Sequence, residues 1–189
     1  MAEEKRAERE DWTVLESEYV IRRPWLTARR DRVQTPHGVV IPEYYVLEYP
    51  EWVSVIALTR EGRFVFVRQY RHGLGVTRYE LCAGVCERED VSPLVSAQRE
   101  LSEETGYGGG EWREYMVLSA NPGATNNLTH CYLATDVERL SAPHPEATEE
   151  ISVHLFTPQE VVALLRSGEI IQALHAAVLW RYVAEHHLL

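Results

Sequence analysis

A mixed α/β fold is predicted, with a central mixed sheet, helices over both of its faces and a small strand-rich section at the N-terminus. Three observations carry this. Segments with strand composition outnumber those with helical period. Two of the helical segments are bounded by their own start and stop residues. A chain of 189 residues with 45% hydrophobic content can build one substantial core and is too short for two ordinary domains with linkers.

In order, residues 1–11 (MAEEKRAERED) are nearly all charged and form a tail that buries nothing. Residues 12–52 are rich in Val, Ile, Thr, Tyr and Trp, with Thr35-Pro36-His37-Gly38 as a turn between two extended runs. Trp25, Tyr44, Tyr45, Tyr49 and Trp52 give this section an aromatic load suited to a core or a subunit interface, with base stacking as the other reading. Residues 53–189 form the main domain. Val53–Leu58 and Phe64–Val67 make a hairpin across Arg60-Glu61-Gly62-Arg63.

Ser92 as N-cap, Pro93 at the first helical position and Gly106 as C-terminal cap predict a helix over 93–105. Tyr115–Ser119 and Thr129–Ala134 read as strands around the loop Ala120–Asn127. A further strand alternates Ile151, Val153 and Leu155. Thr157-Pro158-Gln159-Glu160 reads as a capping box opening a helix that stops at Gly168, and an amphipathic helix over about 170–186 closes the chain.

The 93–105 helix is where the chemistry concentrates. At about 100° per residue, Glu100, Glu103 and Glu104 form one ridge beside the apolar Leu94/Ala97/Leu101 stripe, at the edge of the core. Anions in the last two turns oppose the macrodipole by roughly 0.3–1 kcal/mol each. The Glu100/Glu104 pair adds about 0.2–0.5 kcal/mol of repulsion. A hard divalent cation between the three carboxylates would make sense of both penalties, and Mg²⁺ takes such oxygen ligands.

Gly84 followed by Arg99-Glu100-Leu101-x-Glu103-Glu104-x-Gly106-Tyr107 resembles the Nudix box, G-x5-E-x7-R-E-U-x-E-E-x-G-U, where U is aliphatic or similar. The family's first Glu falls on Asp90, and eight residues instead of seven separate it from Arg99. Upstream, Arg68-Gln69-Tyr70-Arg71 and Tyr79-Glu80-Leu81-Cys82-Ala83-Gly84 resemble the lead-in of the family's ADP-ribose pyrophosphatase branch, with Cys82 where Pro is usual. Over residues 30–180 the resemblance implies an α/β/α sandwich, with Glu100, Glu103, Glu104 and the Ala83 carbonyl holding Mg²⁺, Mn²⁺ being the alternative ion. It further implies that Arg71 contacts substrate phosphate, that Glu80 shapes the site, and that Pro122 lies in a substrate loop. A catalytic Glu is expected between Glu146 and Glu150, with Glu149 or Glu150 preferred because the strand at Ile151 anchors them. The branch also builds homodimers through an N-terminal segment of this kind.

The implied activity is Mg²⁺-dependent cleavage of ADP-ribose to AMP and ribose 5-phosphate. The alternatives are another nucleotide, such as GDP-mannose or a nucleoside triphosphate, and a non-catalytic nucleotide-sensing module. A net charge of −10 argues against a nucleic-acid partner. Lys5 is the single lysine, so positive charge is guanidinium, suited to bidentate phosphate contacts, though a compositional preference for arginine also accounts for it. No apolar run reaches the length of about 18 residues needed to span a membrane. The charged N-terminus does not read as a signal peptide. Cys82, Cys86 and Cys131 read as reduced thiols of a cytoplasmic protein, over a zinc site using Cys82, Cys86 and a histidine.

Overall fold

The computed structural model describes residues 11–145 and 150–189, in two compact units. One comprises the chain up to Tyr49 together with Asn121–Asn126; the other comprises Pro50–Ala120 and Asn127–Leu189.

The first unit is a three-stranded antiparallel sheet of β1 (Thr13–Arg23), β2 (Leu26–Gln34) and β3 (Val40–Glu48), in that order. Two extended runs are expected from the sequence, and three strands are found, because the first run folds back at Pro24-Trp25. Proline lacks the N–H that would continue the ladder there. Asp31 is buried, accepting hydrogen bonds from Ser17 Oγ (2.5 Å) and Arg29 Nε (2.9 Å). Arg29 also pairs with Glu48. The Asn121–Asn126 segment is stitched to β3: Leu47 N–H donates to the Ala124 carbonyl (2.7 Å) and Tyr44 OH to the Gly123 carbonyl (2.6 Å).

The second unit is built on an eight-stranded mixed sheet. Its spine is β4 (Trp52–Thr59), flanked by β5 (Phe64–Arg71) and by β10 (Thr129–Arg139), which runs parallel to it from Thr129 opposite Trp52. β11 (Ser152–Phe156) and β6 (Val76–Glu80) pair with β5. β7 (Cys82–Val85) pairs with the first half of β4, and β8 (Tyr107–Gly108) and β9 (Glu111–Leu118) pair with β10.

Strand alternation sorts β4 between two cores. Val53, Val55 and Ala57 pack with Ala97 and Leu101 of α1 (Pro93–Thr105). Ile56 and Leu58 pack with Val161 and Leu165 of α2 (Pro158–Ser167) and Val178 and Leu179 of α3 (Ala173–Glu185). Both faces of the sheet are therefore covered, as the sequence predicts.

The caps behave as predicted at two helices. Ser92 Oγ accepts from Val95 N–H, and Gly106, left-handed at φ 73°, donates its N–H to the Ser102 carbonyl. Thr157 and Glu160 form the reciprocal capping box of α2. The last helix begins at Ala173, later than expected, because Ile170 is buried in the core in an extended segment and Gln172 becomes the N-cap. Tertiary burial there overrides helical period. Cys82 and Cys131 are buried; Cys131 accepts from Ser54 Oγ (3.1 Å). Among the described residues no three His, Cys, Asp or Glu side chains are grouped as a metal centre, zinc included.

Candidate active site

The site assembles where β7 runs into the loop before α1. Gly84 of β7 passes so close to the helix that a Cβ on it would collide with the Glu100 carboxylate. Glycine permits this approach without displacing the Glu100 carboxylate, and it brings the backbone of Gly84 alongside the ridge. Glu104 is 2% exposed and accepts from Ala83 N–H (3.2 Å). Glu100 and Glu103 are more open and lie toward Arg99.

Arg99 changes the electrostatic reading of the ridge. Its Nη1 donates to Glu100 (3.0 Å) and to Glu103 (2.9 Å), and its Nη2 donates to the Val85 carbonyl (3.0 Å) and Asp90 (3.2 Å). Burial works against the guanidinium charge, but Asp90, Glu100 and Glu103 more than offset it and hold Arg99 protonated. The mutual repulsion expected of the glutamates is therefore partly neutralised within the protein, a counter-charge the helical wheel does not show. The same contacts explain the altered box: Asp90 reaches Arg99 and accepts from Glu87 N–H (3.4 Å), so the loop closes on Arg99 despite the extra residue. Burial raises the Asp90 carboxyl pKa, yet the hydrogen bonds and positive charge of Arg99 act against it and the group sits below its ordinary value.

The ridge offers oxygen donors only, the chemistry a hard cation takes, and Mg²⁺ needs no more than one or two carboxylates beside its waters. The donor set therefore fits a divalent ion. Glu100 and Glu103 share Arg99 while Glu104 turns to the Ala83 N–H, so the three carboxylates do not form a ready-made nest, in keeping with the lack of a three-ligand group among the described residues.

Gly84 also lines a cavity of about 370 Å³, walled with it by Arg71 and Ala83, by the facing strand starts Trp52 and Thr129, and by His175 of α3. Arg71 makes a two-pronged pair with buried Glu80, Nε to Oε1 (2.9 Å) and Nη2 to Oε2 (2.5 Å), so Glu80 fixes the direction of the guanidinium. Sequence reasoning singled out Trp52 among aromatics read as core, interface or base stacking, and missed Thr129 and His175 as cavity residues. His175 alone left a trace, a polar residue beside Ile171, Leu174 and Val178 on the apolar side of a helical period.

Pro122 belongs to the first unit, in the segment bonded to β3. Glu146 and Glu149 lie outside the described residues; Glu150 is exposed, two residues before β11. The chain leading to them is tied to the ridge helix, since His144 N–H donates to the Glu103 carbonyl (2.9 Å) and Leu140 N–H to the Gly106 carbonyl (2.9 Å).

Residues 12–47 match the nucleoside diphosphate sugar hydrolase N-terminal domain, and residues 49–175 match the NUDIX domain. An ADP-ribose pyrophosphatase of Mycobacterium tuberculosis is 30% identical over 170 residues, covering 88% of this chain and 81% of the relative. A GDP-mannose pyrophosphatase of Salmonella typhimurium is 33% identical over 147 residues, covering 76% and 74% respectively. The crystal structure of an ADP compounds hydrolase superposes with a TM-score of 0.80 at 19% identity, covering 94% of this chain and 97% of that one, which is a likeness of fold.

Proposed function

The chain belongs to the Nudix hydrolase family, in its nucleoside diphosphate sugar pyrophosphatase class, and on that premise we propose that its substrate is ADP-ribose, cleaved by water to AMP and ribose 5-phosphate. The observation that carries the reading is that Gly84 both abuts the Glu100 carboxylate of the ridge and lines, with Arg71 of the Arg71–Glu80 pair, one cavity.

Glu100, Glu103, Glu104 and the Ala83 carbonyl would hold Mg²⁺, or Mn²⁺ in its place, which when bound neutralises phosphate oxygens and lowers the pKa of water. Arg71 presents a fixed guanidinium to the diphosphate and stabilises the charge that builds on its oxygens. Glu80, sealed from water behind it, keeps that guanidinium aimed. Glu149 or Glu150 takes the proton of the attacking water, and Pro122 shapes a substrate loop. The link between His144 and the Glu103 carbonyl supports the base assignment, because it brings the chain to the ridge helix two residues before Glu146.

The similarity to a GDP-mannose pyrophosphatase favours one second substrate, GDP-mannose. The deciding experiment offers ADP-ribose, GDP-mannose and a nucleoside triphosphate with Mg²⁺ and with EDTA, and identifies products by mass. AMP with ribose 5-phosphate as the fastest, EDTA-sensitive outcome supports the reading; faster release of GMP and mannose 1-phosphate overturns it in favour of the second substrate.

The same reading extends to assembly as a homodimer. β1 is exposed along its whole length, and Val14, Tyr19, Val20, Ile21 and Trp25 stand out from the first unit with large apolar surfaces. Such a concentration on a small sheet supports burial against a second copy.

A further inference from the structure

The cavity carries two buried polar atoms that the Arg71–Glu80 pair leaves unused. His175 and Thr129 are each 2% exposed, and neither His175 Nδ1 nor Thr129 Oγ1 has a hydrogen-bond partner among the described residues. Buried polar atoms are nearly always satisfied, so two unmatched ones on residues that line one cavity point to a ligand that completes the bonding. The two residues come from separate elements. Thr129 opens β10 opposite Trp52, and His175 sits in the first turn of α3, whose N-cap Gln172 makes no side-chain capping bond and also lines the cavity.

The groups present define the chemistry of the occupant. Burial lowers the pKa of His175 to about 4 despite the nearby Glu80 carboxylate, so its imidazole is neutral. A neutral imidazole and a hydroxyl can each donate or accept one hydrogen bond, which suits hydroxyl groups. Buried Glu80, with Oε2 4.0 Å from His175 Nδ1, disfavours an anion there, whereas Arg71 favours one at its own position. Trp52 and Leu174 supply apolar wall. An apolar ring frame bearing several hydroxyls is a sugar.

We propose that Thr129 and His175 form a subsite for the hydroxyls of the sugar attached to the diphosphate, and that this subsite sets which sugars the site accepts. The proposal rests on the pyrophosphatase reading for the position of the diphosphate at Arg71.

Calorimetric titration in EDTA separates binding from cleavage. The ligands are ADP-ribose against the P2-methyl ester of ADP, and GDP-mannose against the P2-methyl ester of GDP, each ester keeping the diphosphate and lacking the sugar. For at least one pair the wild type should bind the sugar compound about tenfold or more tightly than the ester. Thr129→Val and His175→Asn should bring that ratio to within about twofold, leaving the ester's affinity unchanged, and Thr129→Ser should restore it. If His175→Asn fails to fold, the near-isosteric Thr129→Val carries the comparison. Equal affinity within both pairs for the wild type, or variants that weaken sugar compound and ester alike, overturns the subsite. Failure of the wild type to cleave either sugar compound with Mg²⁺ would instead overturn the pyrophosphatase reading, and the affinity ratios would still decide the subsite.

Discussion

Arg99 and the glutamates around it make the sharpest predictions at the scale of single residues. Glu103→Gln and Glu104→Gln should each lower turnover by about a hundredfold or more and weaken the dependence on Mg²⁺. Steady-state kinetics across a Mg²⁺ series checks this, and near wild-type turnover in both variants removes these glutamates from the ion site. Glu103→Gln should not stabilise the fold, because Arg99 loses a charged partner at the same stroke; chemical denaturation should show no gain and a loss of at most about 1 kcal/mol. His175 gives a prediction in pH. Its folded pKa, near 4, lies below the unfolded value of about 6.5, so the unfolded chain binds the proton first as pH falls. This group's contribution to stability is therefore intact above the unfolded value and is lost as pH falls from about 6.5 toward 4. Imidazole NMR should show one histidine that stays neutral until about pH 4; ordinary titration of every histidine near 6.5 would contradict the assigned burial.

Among elements, α1 matters most, because it supplies the ridge and its end is built into the neighbouring chain. Gly106 closes the helix at φ 73°, and a Cβ there would strike the Ser141 carbonyl as well as strain the backbone. Gly106→Ala should cost about 1–3 kcal/mol and should also reduce activity, since the segment it would displace leads to Glu149 and Glu150. A variant as stable and active as wild type, by denaturant midpoint and kinetics, would show that this junction is slack. By contrast, Thr157→Ala removes the capping box of α2 and should cost about 1 kcal/mol with kcat/KM unchanged, since α2 contributes core packing and no cavity residue.

At the level of the whole molecule, the mixed sheet forms a framework with α1 on one face and α2 and α3 on the other, while the three-stranded unit presents apolar side chains outward. Light scattering at micromolar concentration should report a dimer, and Val20→Thr combined with Trp25→Ser should shift it toward monomer. A monomeric wild type with full turnover would contradict the proposed assembly. No helix among the described residues is long and apolar enough to cross a membrane.

What the sequence determined by itself is what short-range physics controls. The 93–105 helix was legible because Ser92, Pro93 and Gly106 act on their immediate neighbours, and the α2 capping box because Thr157 and Glu160 satisfy each other's backbone within one turn. The glutamate ridge followed from helical rotation alone, and the spacing around it carried the family resemblance. Tertiary structure decided what depends on distant chain segments meeting. Arg99 is drawn to Asp90 by closure of a loop, Thr129 faces Trp52 through a parallel pairing across 77 residues, and His175 joins them only because Ile170 is pulled into the core and delays the start of α3. Such contacts depend on burial and chain crossing, which leave no period in a linear sequence, and this is why the ridge could be read in advance while the cavity beside it could not.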